Sequence, residues 1–218
     1  MAPVRAEKPA SGTDTIRKLW PSDVAAYRAH LLRLDPEARY SRFGTVMTDD
    51  VTAEHANACF GADTLVFGCF IAGKIRGAAE LHLLTGASGL RNGTAEAAFS
   101  VEQRWRHDGV GSALVERLIL AAQSRAVRSL VITCLPQNVA MQNLAKKYGA
   151  RLKCDTDEVT GKIKVELPTP QTLLTELFEE SLDFASALFD LQRRILPPVA
   201  PVAILARRKH CELGSFYM

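Results

Sequence analysis

Residues 100–118, SVEQRWRHDGVGSALVERL, constrain this chain more than any other stretch. A strand pattern, TAEAAFSV, ends at Val101, and an amphipathic helix with Leu114, Leu118 and Ala121 follows almost at once. Gly109 and Gly111 stand where that helix begins. A junction of this kind exposes unpaired backbone N–H groups at the positive end of a helix dipole. Glycine lets an anion approach those groups closely, so the turn reads as a phosphate cradle with Arg106 adding positive charge at its mouth. Tight packing of strand against helix would use the same glycine pair. A Walker A loop would need Lys-Ser/Thr after its second glycine and finds none. The dinucleotide fingerprint would put a small residue where Leu114 stands, and a carboxylate about 20 residues on, where the chain reads SRAVRSLVIT. What fits is R-x-x-G-x-G, as Arg106-His107-Asp108-Gly109-Val110-Gly111.

The surrounding pattern is mixed. TIRKLW opens the structured part, and a helix follows in PSDVAAYRAHLLRL, with Pro21 in its first turn and Val24, Tyr27, Leu31 and Leu34 at helical spacing. DPEARYSRFG breaks that spacing and reads as a loop or short turn. Asp and Thr capping chemistry predicts a second helix from about Asp49. Residues 64–72 and 74–85 read as strands joined by a tight hairpin at Ala72-Gly73. GASGLRNG leads to the strand ending at Val101. Beyond the long helix come a buried-type strand, SLVITCL, and a helix, PQNVAMQNLAKKYGA, with Gly149 at its C′ position. ARLKCDTD and KIKVELP read as a closing hairpin around EVTG. The order β, α, α, β, β, β, α, β, α, β, β argues an α/β or α+β layer fold.

Composition narrows the function classes. With 47% apolar residues in 218, wholesale disorder is excluded, and the length suits one domain with a surplus. No apolar run reaches the roughly 18–20 residues a spanning helix needs, and MAPVRAEKPASGTD lacks a signal-peptide core. A cytoplasmic location with no membrane partner is therefore expected. The five cysteines are scattered, without CxxC or zinc-ligand spacing, so they read as buried hydrophobes and no metal is expected. A net charge of +3 and a lone basic cluster at Arg207, Arg208 and Lys209 do not argue for nucleic acid.

About 30 residues after the glycine turn, past the next strand, comes Asn138-Val-Ala-Met141-Gln-Asn-Leu144-Ala-Lys-Lys147-Tyr-Gly149-Ala. Here the chain resembles the GNAT superfamily of N-acetyltransferases, which shows R/Q-x-x-G-x-G/A and then N-x-x-A-x-x-L-Y-x-K-x-G-F. Asn138, Leu144, Lys147 and Gly149 fill that second motif, while Met141 and Ala150 depart from it. The resemblance covers about residues 15–167. IRKLWPSD…LRLDPEARYSRFG is also similar to the subgroup holding bacterial protein-lysine acetyltransferase domains. The resemblance implies a central, mixed but mostly antiparallel sheet of six to seven strands. Its central strands splay, helices cover both faces, and here a C-terminal helical extension is added.

It also implies acetyl-CoA as cofactor. The backbone N–H groups of Arg106, His107, Asp108, Gly109, Val110, Gly111 and Ser112 would hold the pyrophosphate. Amides around Phe99, Ser100 and Val101 would orient pantetheine and the thioester carbonyl. Asn138 would contact the cofactor or tie the splayed strands, and capping its own helix is compatible with either. The implied reaction is acetyl transfer to an amine, on a protein lysine or a small molecule.

A lysine amine titrates at about 10.4, so a base is useful at neutral pH. Glu96 and Glu80 are the candidates, on strands whose pairing register the loop leaves open. In one parity they share a cleft, in the other they face apart, and a solvated strand face is the plain alternative for each. The subgroup's base lies in an AE-x-A strand, which Ala95-Glu96-Ala97-Ala98 resembles, so Glu96 is favoured over Glu80. His82 reads as structural. The family's usual tyrosine, which protonates the leaving thiolate, falls at Ala145, with Tyr148 three residues on and read as a packing residue. That departure and the added helix motivate a rival reading, a non-catalytic acyl-CoA-binding or interaction module.

The expected organisation is a tail over 1–13, the acetyltransferase-like domain over 14–168 and an extension over 169–218. Thr169 and Pro170 open the extension's helix, in which Leu174, Leu177, Phe178, Ala185, Leu188 and Phe189 form a stripe with Ser181 its one polar member. Residues 171–191 hold five acids and no Lys or Arg, so against a total of +3 the remainder carries +8. The apolar stripe is expected to dock on the core or on a second subunit, the latter giving a homodimer through this helix.

Overall fold

The computed structural model describes residues 15–85 and 91–195. The polar tail, the Pro-rich stretch, the basic cluster near the end and most of GASGLRNG lie outside the described residues. Seven strands form one sheet: β1 (Thr15–Lys18), β2 (Thr64–Ile71), β3 (Lys74–Thr85), β4 (Arg91–Val101), β5 (Ser129–Cys134), β6 (Arg151–Cys154) and β7 (Val159–Lys164). Their order is β1-β2-β3-β4-β5-β7-β6, and β4 with β5 is the one parallel pair. This is the mixed, mostly antiparallel sheet the sequence implied.

Helices cover both faces. On one, α1 (Val24–Leu32) and α3 (Asp49–Ala58) bring Tyr27, Leu31, Ala56 and Cys59 onto Val66, Ile75 and Ala78. On the other, α4 (Val110–Ser124) lays Leu114, Leu118 and Ala121 on Phe67, Ala79, Leu81 and Ala97, with Ala145 of α5 (Val139–Lys147) beside them. Alternate strand residues feed the two layers, as period-two geometry requires. Gly77 sets how closely α4 approaches. A Cβ there would stand 2.6 Å from Val110 Cγ1 and 3.2 Å from Leu114 Cδ1.

The parting of β4 from β5 positions everything below. Their ladder consists of Thr94↔Ser129, Ala95↔Leu130 and Glu96↔Val131 and then stops. β4 runs on against β3 to Gly77↔Val101, while β5 runs on against β7 to Cys134↔Val159. A wedge opens between two strands that began as neighbours.

Three features differ from the sequence reading. DPEARYSRFG is a helix, α2 (Pro36–Phe43), not a loop. Asp35 accepts a hydrogen bond from the Ala38 N–H at 2.8 Å, Pro36 opens the first turn, and Gly44 closes the helix in the left-handed region at φ +70°. The closing hairpin turns at Asp155–Glu158, where the Asp155 N–H reaches the Glu158 carbonyl at 2.8 Å, and EVTG's valine already begins β7. The third concerns α6 (Pro170–Ile195), which packs against β1 and α4 with its acidic face inward and its apolar stripe outward.

That docking is ionic. The Arg117 guanidinium on α4 reaches Glu176 at 2.6 Å and Asp183 at 3.1 Å. Arg125 reaches Glu176 at 3.2 Å and Glu180 at 2.6 Å. Asp183 also accepts the backbone N–H of Lys18 at 2.8 Å, so α6 supplies partners to the edge strand β1. Arg17, buried and bidentate to Asp23, extends to Asp190 at 3.0 Å. The chain solved the contest between stripe and charge in favour of charge because four cations line the β1–α4 side. Burial lifts the Asp183 carboxyl above its ordinary value despite the Lys18 amide and Arg117. These pairs therefore fix the helix's orientation more than they stabilise it.

Removing one partner is a different matter. Arg117→Ala takes a cation from two carboxylates that are 3% exposed, leaving Glu176 only Arg125 and Asp183 only the Lys18 N–H, at a cost of up to ~3 kcal/mol. We expect a lower melting temperature and loss of amide-exchange protection along 170–195. Unchanged protection there would show that α6 is held by something else.

Candidate active site

β4 carries the wedge's chemistry. The Glu102 N–H donates to the Arg76 carbonyl at 3.0 Å, on the β3 side, and the Gly93 carbonyl accepts from Arg128 at 2.7 Å, on the β5 side. Peptide groups alternate along a strand, so those of Ala97, Phe99 and Val101 turn toward the wedge. The Phe99 and Val101 side chains pack on the α4 layer. Ser100 points the other way, its Oγ 2.9 Å from His30 Nε2. Val101's carbonyl accepts from Arg106 Nε at 3.2 Å, and the other end of that guanidinium lies 3.7 Å from Asp35. Arg106 thus folds back over the end of β4.

Below the wedge, a single turn of 3-10 helix at Gln103–Trp105 leads into the glycine turn. His107 takes φ +66° and Gly109, the N-cap of α4, φ +86°. The first helical bond there joins the Ala113 N–H to the Gly109 carbonyl at 3.0 Å, which leaves the N–H groups of Val110, Gly111 and Ser112 at the open helix end. A Cβ on Gly109 would meet nothing within 4 Å, so the loop surface is open, whereas Gly111 faces Leu144. His107 and Asp108 are exposed. Ser112 is tied to α5: its Oγ accepts from Lys147 Nζ at 2.9 Å and its carbonyl lies 3.1 Å from the Tyr148 hydroxyl. Asn138 caps α5, its Oδ1 accepting the Met141 N–H at 3.1 Å.

The two candidate carboxylates share one face in the parity left open by the sequence. His82 stands opposite Glu96 and Ala98 opposite Glu80, so Glu80 and Glu96 are diagonal neighbours. Their surroundings differ. Glu96, the last β4 residue paired to β5, is exposed and has no hydrogen bond or ion pair among the described residues. Glu80 is 1% exposed and ringed by donors. Arg42 lies 2.6 Å away, His82 Nε2 at 2.8 Å and His55 Nε2 at 3.2 Å, with the Tyr27 hydroxyl and, at 3.4 Å, the Cys59 thiol completing the ring. Burial alone would raise Glu80, but the Arg42 charge and the two histidine bonds outweigh it and hold the carboxyl well below its usual range. Tyr27 and Cys59 are pushed up, first by burial and then by that carboxylate, so both keep their protons. His82 Nδ1 lies 3.1 Å from Thr64 Oγ1.

His55, Cys59 and Glu80 place three ligating atoms within 4.8 Å of one another. A cation there would have to displace the Arg42 guanidinium and take a proton that the Cys59 thiol holds firmly. The donor set is organised around an anion. Of this ring the sequence offered two hints, Glu80 and His82 two apart on one strand face and His55 four residues before Cys59. Arg42 and Tyr27 come from other helices and carried no signal.

A second buried network braces the end of β4. His30 Nδ1 lies 3.2 Å from Glu102, which also receives Arg33 at 2.9 Å and Arg76 at 2.8 Å. Burial lowers the His30 pKa, so the ring is neutral and donates Nδ1–H to Glu102 while Nε2 accepts from Ser100. Burial would raise Glu102, yet the bonds from His30 and Arg76 and the Arg33 charge bring it to about 2.

A group with a depressed folded pKa stabilises above its unfolded value and loses that contribution as pH falls through the folded one. For Glu102 the window runs from 4.5 down to about 2. Below the free-imidazole value of 6.5 His30 adds to the acid loss, because unfolding lets it take a proton. Denaturant titrations of wild type and Glu102→Gln should therefore differ by ~3 kcal/mol above pH 4.5. The difference should shrink at lower pH. A pH-independent difference would refute the account.

Comparison with known proteins agrees with this geometry. The family model of the acetyltransferase (GNAT) family matches residues 26–150, more than half the chain. Among solved structures, the GNAT domain of a Streptomyces lividans protein titled PAT superposes with a TM-score of 0.63 at 22% identity, covering 70% of this chain and 91% of that one. YncA of Salmonella typhimurium, solved with its cofactor acetyl-CoA, gives 0.59 at 18%, covering 72% and 97%. The ribosomal-protein-S18-alanine N-acetyltransferase of Escherichia coli gives 0.55 at 18%, covering 72% and 97%. By its matched motif-bearing core and its fold, this chain belongs to the GNAT acetyltransferase family.

Proposed function

We propose that the protein transfers acetyl from acetyl-CoA directly to a primary amine, on a protein lysine or a small molecule, with Glu96 as the base. The parting of β4 from β5 at Glu96 carries this reading. The residues fit the cofactor: an open helix end below the wedge suits a pyrophosphate, and the inward peptide groups of Phe99 and Val101 suit an extended amide-bearing arm. Bound there, acetyl-CoA supplies an activated acetyl thioester. The N–H groups of Val110, Gly111 and Ser112 hold negative charge, with those of His107, Asp108 and Gly109 lining the approach, while the Arg106 N–H turns back to the Gln103 carbonyl at 3.3 Å. Asn138 braces the far wall through α5. Glu96 stands at the apex, exposed to an incoming amine, and removes its proton directly or through water. Glu80, charged and saturated with donors, positions His82 and the neighbouring strand face.

Ala145 at the usual tyrosine position favours the rival, a binding module without turnover. Thiol release from acetyl-CoA, screened over polyamines, aminoglycosides, amino acids and lysine peptides, separates the two. Absence of release with every amine supports the module, and release with one class names the acceptor.

Within the enzyme reading, Glu96→Gln should lower kcat by ~10²–10⁴-fold with acetyl-CoA affinity and melting temperature unchanged. Glu80→Gln, which strands Arg42, should lower the melting temperature instead. If Glu96→Gln keeps full turnover, the base lies elsewhere. Gly109→Trp should abolish acetyl-CoA binding by calorimetry while the fold persists, since the new Cβ clashes with nothing and φ +86° carries only local strain. Retained binding would remove the cradle.

A further inference from the structure

α6 is bound by its acids and exposes its oils. Leu174, Leu177, Phe184 and Leu188 are 68, 61, 56 and 56% exposed. With Ser181 and Leu191 they fall at 174, 177, 181, 184, 188 and 191, steps alternating three and four. That is the a/d seam of a heptad repeat, the spacing by which a helix meets another helix. The one polar position is already satisfied, because Ser181 Oγ donates to the Leu177 carbonyl at 2.8 Å.

The occupant follows from charge and extent. The helix cannot roll to bury the seam on its own core, since Arg17, Lys18, Arg117 and Arg125 hold the opposite face. An interfacial membrane helix carries Lys or Arg along its polar face, but residues 171–191 have none and five acids. A standard protein interface buries about 800 Å² per partner. The four seam side chains, each more than half exposed, form the centre of such an interface, with Phe178 and Phe189 flanking it on one side. No charge on the seam selects a foreign partner, whereas a copy of the same seam meets it residue for residue about a two-fold axis. We propose that two copies of this chain pair through their α6 helices. α6 meets α4 through Arg117 and Arg125, away from that helix's open N-terminus, and meets the sheet at β1, which β2 and β3 separate from the wedge, so pairing leaves the acetyl-CoA site open.

The test uses the full chain. Sedimentation equilibrium at micromolar concentration should return twice the 23.8 kDa chain mass, and the melting temperature should rise with concentration. The double variant Leu177→Glu, Leu188→Glu should return the single-chain mass with far-UV dichroism and acetyl-CoA affinity unchanged, both residues being exposed in the protomer. Wild-type dimer in 1 M NaCl would support an apolar seam. A wild type at single-chain mass over the whole range would overturn the proposal, as would a double variant that stays dimeric. Partition of wild-type monomer onto phosphatidylglycerol–phosphatidylcholine vesicles would overturn it in favour of a lipid surface.

Discussion

The structure depends on one broken ladder. Had β4 and β5 paired along their full lengths, the sheet would be ordinary and would offer no backbone to a ligand. Parallel neighbours separate only if each has another partner to keep its remaining groups bonded. Here β3 holds β4 through Val101 and β7 holds β5 through Cys134. The wedge is therefore a property of the sheet's topology. Gly77 brings the start of α4 down onto β3, so the helix's positive end lies at the wedge's wider end.

Two buried acids keep that arrangement rigid on the α1–α3 side. Glu102 joins α1, through His30 and Arg33, to β3, through Arg76, at the point where β4 leaves for the glycine turn. Glu80 joins α1, α2 and α3 to the middle of the sheet through Tyr27, Arg42 and His55. Neither pair is a cheap source of stability, since desolvation opposes each charge. What they give is uniqueness: apolar packing alone would allow the three short helices to slide over the sheet, and a carboxylate with directional partners does not. The two diagonal glutamates, candidate bases of the proposed reaction, thus separate by environment. The saturated one is fixed in its charged state, and the exposed one is left with an open coordination shell.

Legibility followed the range of the interaction. The glycine turn, the strand order and the Ala72-Gly73 hairpin rest on neighbours in sequence, and residues 72 and 73 do take φ +51° and +73°, the pair a type I′ turn needs. The helix at Pro36–Phe43 was equally local, written in Asp35, Pro36 and Gly44, but its polar composition hid it from a search for apolar periodicity. Apart from His82, the partners in the rings around Glu80 and Glu102 were illegible because they lie 21 to 72 positions from the carboxylate. Whether α6 turns its stripe to the core or away from it stayed open for a related reason. Periodicity shows that a helix has two faces, yet which face turns inward depends on Arg117, Arg125 and Lys18, whose placement only the assembled sheet reveals.

The same logic bears on the missing tyrosine. Ala145 is 2% exposed, and its Cβ lies 3.6 Å from where a Cβ on Gly161 would stand, so β7 fills the space a larger side chain there would need. Tyr148 is no substitute in this arrangement. Its hydroxyl is held between the Ser112 carbonyl and Glu116 at 2.7 Å, on the flank of α4, and burial and that carboxylate raise its pKa. In the proposed reaction the departing sulfur would leave unprotonated. A thiol of pKa about 8.5 does so readily. The burden then rests on deprotonating the amine, which is why the exposed carboxylate at the apex of the wedge, rather than any acid on α5, is the group on which turnover should depend.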